Sequence, residues 1–380
     1  MDGNTFSSPT PFTPPTTEED RVSWLRLIRS RRVGPSTFAR LITEHGSAGA
    51  ALDALPALAH ASGVADYAPC TIDAALREYQ TGRRAGARLL CLGAVDYPPA
   101  LAAIADAPPV LWAIGQGATL AQPAIALVGA RNASSLGQRT ARKLAEGLGH
   151  HGFAIVSGLA RGIDTVAHGA ALKTGTIAVM AGGVDHIYPA ENAALAGAIA
   201  DQGMRLSEQP IGMPPQARHF PRRNRIIAGL ALATVVVEAA EGSGSLITAR
   251  DALEQGREVL AVPGHPLDAR AAGCNALIRE GARLVRDTGD VLEAVAPALT
   301  ANPVPAPAPA TPPTPQPRPR SPDTLTLHRL ILDHLGPSPL AEDQLIRDLA
   351  LPAATIAPAL LFLELDGRVQ RQPGGLLART

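Results

Sequence analysis

Between residues 125 and about 295, short apolar runs recur at 125–128, 154–156, 177–180, 235–237 and 259–262, and stretches of helical spacing alternate with them. Short apolar runs of this kind suit strands buried on both faces, and their alternation with helices predicts a mostly parallel sheet covered on both sides. The helical stretches carry the matching period. Ala141, Leu144, Ala145 and Leu148 share one face, while Arg139, Arg142, Lys143 and Glu146 take the other. Ile163, Val166, Ala167 and Ala170 repeat the spacing. The fold class is therefore α/β, with a Rossmann-like, mostly parallel sheet as its core.

Outside this core the pattern changes. Residues 18 to about 75 alternate short helical patterns with turns, and the stretch from Arg31 to Phe38, with Gly34-Pro35 inside it, resembles a helix-hairpin-helix turn that opens a new helix. A small helical bundle without a ligand explains the same pattern. Residues 299–322 hold ten prolines among Ala, Thr and Arg. Such a composition cannot build a core and favours extended polyproline segments. After it come two short helical patterns, a longer apolar one from Ala353 to Asp366 and a Gly-containing tail, which suits a winged helix-turn-helix. The expected division is a disordered N-terminal tail (1–17), a helical domain (18–90), the Rossmann-like domain (91–298), a proline-rich linker (299–322) and a winged-helix domain (323–380).

Composition narrows the function classes. With 46% hydrophobic and 18% charged residues over 380 positions, most of the chain can offset its ordering entropy, and two or three modules are expected. Cys70, Cys91 and Cys274 stand in no metal-ligand or disulfide spacing, so neither zinc nor another metal is expected. The first 17 residues lack a basic segment followed by an apolar one, and no run of 18 apolar residues occurs. A cytoplasmic location without membrane contact is expected. Thirty-four basic residues balance thirty-four acidic ones, so a nucleic acid held by this chain must meet a local site, not a bulk positive charge.

Four strand-to-helix junctions supply candidate chemistry. The turn Gly129-Ala130-Arg131-Asn132-Ala133-Ser134 points backbone N–H groups at whatever sits there and favours phosphate. It is not a dinucleotide fingerprint, since Arg131 and Ser134 replace the second and third glycines. A dinucleotide dehydrogenase is disfavoured, and no cofactor is assigned. Ser157-Gly158-Leu159-Ala160-Arg161-Gly162 repeats the theme, and Asp164 and His168 after it either form an acid/base pair or fix the loop by hydrogen bonding. Near His219, Phe220 is followed by Arg222, Arg223, Asn224 and Arg225, with Arg218 just before. Guanidinium groups beside an aromatic ring combine phosphate pairing with a stacking platform, as sequence-tolerant single-strand binding requires. The bland alternative has Phe220 in the core and the arginines on a solvated helix start. Last, Gly242-Ser243-Gly244-Ser245 opens a helix as an anion-binding nest. It is similar to the phosphate loop of lysine-decarboxylase-like phosphoribohydrolases, but Thr248 stands where their catalytic glutamate would fall.

Taken in order, Asp96-Tyr97-Pro98-Pro99, Gly129-Ala130-Arg131, the block from Ser157 to Asp164, Tyr188-Pro189-Ala190-Glu191-Asn192, the block from Phe220 to Leu230, the block from Gly242 to Ala249 and Ala261-Val262-Pro263-Gly264 resemble the signature blocks of the DNA-processing protein A (DprA/Smf) family. The resemblance covers about residues 90–287. It implies a sterile-alpha-motif-like N-terminal domain, homodimerisation, binding of single-stranded DNA without sequence preference, and handover to the RecA recombinase during natural transformation, with no catalysis. By position it implies Arg131 as the arginine that reaches the strand, Phe220 as the stacking aromatic and Gly129 as a backbone contact. Ser157, Gly158, Arg161, Arg218, Arg222, Arg223, Asn224, Arg225 and residues 242–245 complete the expected DNA-binding set. Ala130 replaces the family's usual serine, which removes a hydroxyl donor, and Ala217 falls near a position that is basic in some members.

The alternative is a nucleotide-processing enzyme of the phosphoribohydrolase type. The tail is not expected to read duplex DNA. Residues 323–380 hold five arginines and seven acids, and the presumed recognition helix carries Ile356, Leu360, Leu361, Phe362, Leu363 and Leu365 in place of base-reading side chains. A protein-contact or purely structural role is expected for it.

Overall fold

The computed structural model describes residues 13–61, 64, 66–300, 324–335, 340–349, 351, 353–372 and 376–379. Most of the expected tail and linker lies outside these residues. Four helices open the chain: α1 (Glu18–Arg29), α2 (Pro35–His45), α3 (Ala48–Ala61) and α4 (Ile72–Arg84). Helix α2 starts as its sequence dictates, with Gly34 extended at the N-cap and Pro35 in the first turn, where a missing N–H costs nothing. Contacts divide the chain into two compact units. One comprises residues 1–25 and 73–302, the other residues 26–72 and 303–380.

The first unit is built on nine strands: β1 (Arg88–Cys91), β2 (Val110–Gly115), β3 (Ala124–Val128), β4 (Ala154–Ser157), β5 (Thr176–Val179), β6 (Met204–Ser207), β7 (Ala233–Val236), β8 (Glu258–Ala261) and β9 (Arg283–Leu284). Their order is β1-β2-β6-β5-β4-β3-β7-β8-β9. From β6 to β9 every pairing is parallel, and β2 and β1 extend the sheet antiparallel beyond β6. The boundary expected at residues 90/91 thus falls inside β1. Trp112 on β2 is fully buried, and its indole N–H donates to Glu78 of α4 at 2.8 Å, so α4 packs with the sheet.

The connecting helices are α5 (Pro99–Ala102), α6 (Ser135–His150), α7 (Ile163–Ala171), α8 (Ala193–Gln202), α9 (His219–Leu230), α10 (Gly244–Glu254), α11 (Ala272–Arg279) and α12 (Thr288–Thr300). The amphipathic faces read from the sequence face inward. Ala141, Leu144, Ala145, Leu148, Ile163 and Ala167 join Ile125, Leu127, Ile155 and Val235 in one core. The chain reverses its winding at β3, since β4 flanks it on one side and β7 on the other. Open parallel sheets bind ligands outside the carboxyl ends of the strands at such a switch point.

The second unit contains α2, α3 and the C-terminal module. That module has helices α13 (Thr324–His334), α14 (Glu342–Leu349) and α15 (Ala353–Leu365), and strands β10 (Leu340–Ala341), β11 (Val369–Gln372) and β12 (Leu376–Arg379) in the order β10-β12-β11. Three helices and a small antiparallel sheet form a winged helix around Leu327, Ile331, Leu345, Ile356, Leu360, Leu363, Val369 and Leu377.

Candidate nucleic-acid interface

The turns after β3, β4 and β5 and the start of α9 converge on one side of the sheet. They enclose a cavity of about 310 Å³ lined by Arg131, Asn132, Gly158, Ala160, Arg161, Tyr188, Pro189 and Phe220. The Arg131 guanidinium carbon lies 5.5 Å from the centre of the Phe220 ring, within cation–π range. Tyr188 meets Phe220 edge-on, with ring centroids 5.8 Å apart, and is 51% exposed. Two aromatic faces and a guanidinium plane therefore border one opening. Arg131 is exposed and Phe220 half-buried, so Phe220 is not a core residue, and the bland reading of that position fails.

Beneath the cavity lies a polar network that holds the 157–162 loop. Asp164 is buried and accepts the backbone N–H of Gly158 at 3.0 Å and of Ala160 at 3.2 Å. Arg223 is 6% exposed and donates to the carbonyl of Gly158 at 2.7 Å and to that of Val179. Burial pulls the Arg223 guanidinium down to about 10, against the pull of Asp164 in the other direction. Burial raises the Asp164 carboxyl, while Arg223 and the two backbone bonds counter it.

His168 completes the network as a neutral ring. The Thr176 hydroxyl donates to the Ile155 carbonyl at 2.9 Å, so it accepts from His168 Nδ1 at 2.7 Å. Nε2 is left to accept the backbone N–H of Leu159 at 3.3 Å. Both ring nitrogens are spent, and burial together with Arg223 lowers the imidazole to about 3. Of the two readings of Asp164 and His168, the loop-fixing one matches this geometry. Together they hold Leu159 in the left-handed region, at φ 55, which a leucine adopts only under constraint.

The network corrects several expected DNA contacts. Arg223 points into the protein and not into the cavity; a Cβ on Gly158 would sit 2.3 Å from its guanidinium. Ser157 is fully buried and donates to the Leu127 carbonyl at 2.6 Å. Asn224 is buried and donates to the Gly244 carbonyl at 3.3 Å. Arg225 is tied to Glu208, to Asp106 and to the Asp106 carbonyl, with 14% of its side chain exposed. These residues support the site from behind. Arg218 and Arg222 are exposed and lie two residues from Phe220 along the chain, but neither lines the cavity.

The phosphate cradle expected at the β3–α6 turn is already filled. Glu238, at the end of the segment after β7, places its carboxylate at the start of α6 and accepts from the Ser134 N–H at 3.1 Å and from the Ser134 hydroxyl. The same hydroxyl caps the Gly137 N–H at 2.9 Å. Helix N-termini attract anions, and here the anion belongs to the protein. Ala130 is likewise engaged, donating its N–H to the Glu238 carbonyl at 2.7 Å. Gly129 serves packing, since a Cβ there would come within 2.6 Å of Ile163. The 242–245 turn lies outside the cavity lining; Ser243 caps it by accepting from the Ser245 N–H at 3.4 Å, and Ser245 is buried.

Three residues quoted in the sequence motifs were not assigned to the expected site. Tyr188 and Asn132 line the opening, and Glu191 holds the exposed Arg161 in a bidentate pair, Nε to Oε2 at 2.6 Å. An aromatic residue directly before a proline, past the end of a buried strand, was the available signal for Tyr188. Among the described residues no cluster of metal-ligating side chains occurs, and no helix is long and apolar enough to cross a membrane.

Fold and cleft together define a Rossmann-type binding protein whose opening presents guanidinium and aromatic surfaces at the switch point, in a chain that also carries a helical segment and a winged helix. The family model described as DNA recombination-mediator protein A matches residues 88–296, the DprA-like N-terminal HHH domain matches 18–81, and the DprA winged helix domain matches 305–375. The chain belongs to the DNA recombination-mediator protein A (DprA/Smf) family. It is 44% identical over 214 residues to the DNA processing protein DprA of Bacillus subtilis, covering 56% of this chain and 72% of that protein. The X-ray structure of DprA from Streptococcus pneumoniae superposes with a TM-score of 0.59 at 35% identity, over 71% of this chain and 97% of that one. DprA from Helicobacter pylori, whose structure was described for its single-stranded DNA binding mode, gives 0.51 at 27% identity over 56% and 97%.

Proposed function

We propose that this protein binds single-stranded DNA without sequence preference at the cavity between Arg131, Tyr188 and Phe220, and hands the strand to the RecA recombinase in the cytoplasm as a homodimer. The observation that carries the reading is the Arg131 guanidinium over the Phe220 ring at the mouth of the cavity. Every base has a π-face, so an aromatic wall accepts any unpaired base, and guanidinium groups beside it pair with the phosphates. Arg161 adds a second guanidinium to the lining, and Arg218 and Arg222 are exposed nearby in the chain. The role is binding and not catalysis. Both nitrogens of His168 are committed to the fold, Thr248 is buried where a phosphoribohydrolase would need its acid, and Glu238 occupies the turn a nucleotide phosphate would use.

The test is a titration of labelled single-stranded against double-stranded oligonucleotide at two salt concentrations, with Arg131→Ala and Phe220→Ala. Loss of a stacking ring removes roughly 1–3 kcal/mol per base, so Phe220→Ala weakens single-strand binding about 5- to 150-fold with the fold intact. Equal affinity of variant and parent, or preference for duplex, refutes the proposal.

A further inference from the structure

Helix α15 is apolar all round, and a helix of that kind needs a partner on both sides. Ile356, Ala359, Leu360 and Leu363 fill the winged-helix core. At 100° per residue, Leu361 and Leu365 point away from that stripe, yet each is 1% exposed. Within the same compact unit α15 packs on α3. The outward side of the presumed recognition helix is therefore covered by the N-terminal helical segment.

Two arginines of that segment grip the C-terminal end of α15. Arg40 of α2 pairs with one carboxylate oxygen of Glu364. The other oxygen accepts from Arg371 Nε at 3.1 Å, and Arg371 reaches Glu342 at 2.6 Å. The carboxylate thus joins the helical segment to the wing, with only 14% of the Arg40 side chain and 10% of that of Glu364 exposed. Arg32, in the turn before α2, donates to the Leu365 carbonyl in the last turn of α15, where the helix dipole favours a cation. Arg32 does so from the left-handed region, at φ 64, a conformation a non-glycine residue keeps only when its surroundings hold it.

We propose that the outward face of α15, at Leu361, Glu364 and Leu365, is a docking surface for the N-terminal helical segment of the same chain, so that the winged helix clasps protein where a DNA reader would enter a groove. A buried carboxylate shared by two arginines fixes register as well as position, because either partner alone is left as an uncompensated charge.

Hydrogen exchange of the full chain tests this. In the parent protein, the α15 peptide spanning Leu361 to Leu365 and the α3 peptide are protected, independently of protein concentration and of added duplex oligonucleotide. Arg40→Gln speeds exchange of both peptides at least tenfold, while the peptides around Ile331 and β12 keep their rates and single-strand affinity is unchanged. Glu364→Gln attacks the same bond without altering α2 and gives the same loss in α3. Unchanged exchange in both variants overturns the proposal. So does protection of α15 that grows with duplex DNA, which would make it a groove reader, or with protein concentration, which would place the partner segment in a second copy.

Discussion

Replacing Glu191 by glutamine should tighten single-strand binding. In the parent protein Arg161 lines the cavity but is engaged by Glu191, with side chains 62% and 59% exposed. A phosphate that takes Arg161 must first displace that carboxylate and then sit near it. Exposed pairs of this kind are worth about 0–1 kcal/mol, so the exchange is cheap but not free. Removing the carboxylate abolishes both the exchange cost and the repulsion. The combined gain is about 0.5–1.4 kcal/mol, roughly 2- to 10-fold in Kd. One further phosphate neutralised also steepens the dependence of log K on log salt by about 0.7 for a single strand. Fluorescence anisotropy of a labelled oligonucleotide across a salt series reads both quantities. Arg161→Ala in the Glu191→Gln background should return the slope to its starting value. Equal or weaker binding by Glu191→Gln at every salt concentration would show that Arg161 takes no part in binding.

The two neighbouring arginines of α9 should separate cleanly. Arg223→Met leaves Asp164 buried without its cation and two carbonyls without their donor, costing about 3–5 kcal/mol of stability in thermal or denaturant unfolding. Arg222→Met leaves the unfolding midpoint in place and weakens only DNA binding; a variant pair with equal midpoints would refute the assignment of the two side chains. His168 should make stability pH-dependent. Its native value is lowered to about 3, mainly by burial and then by Arg223, while the unfolded ring titrates near 6.5, so on acidification only the unfolded chain takes up the proton. The stability advantage of the parent over His168→Asn is full well above about pH 6.5 and falls by about 2.7 kcal/mol by about pH 4.5. Asp164, whose carboxyl is raised by burial, acts with the opposite sign, since the native state takes its proton first, but it is present in both proteins and cancels in the comparison. An advantage that does not change with pH would mean that His168 is charged in the native state.

Periodicity made the core legible. Ala141, Leu144, Ala145 and Leu148 are buried together because a helix repeat and a sheet surface select them jointly. The arginine cluster was legible as a cluster but not residue by residue. Successive side chains on α9 point about 100° apart, so Arg222 meets solvent, Arg223 the interior and Arg225 the carboxylate of Glu208, and nothing in the local sequence fixes which way the helix is turned. The β3–α6 turn was overread for a related reason. Its N–H groups are real at the level of the turn, but Glu238 comes from the segment after β7, more than a hundred residues away, to satisfy Ser134. Long-range partners of this kind carry no local signature.

The same distinction explains how a chain of zero net charge can hold a polyanion. A flexible basic tail would pay side-chain and loop ordering on every binding event. Here that ordering is done by the fold, because Asp164, His168 and Arg223 fix the 157–162 loop from below with bonds to five of its backbone and neighbouring groups. The interior arginine spends its charge on geometry, and under the proposed function the exposed ones are left for the ligand. A cleft arranged this way needs few positive charges, since each is delivered to a fixed place beside an aromatic face. The stacking share of the interaction is not screened by salt, so a small local cluster can suffice where bulk charge is absent.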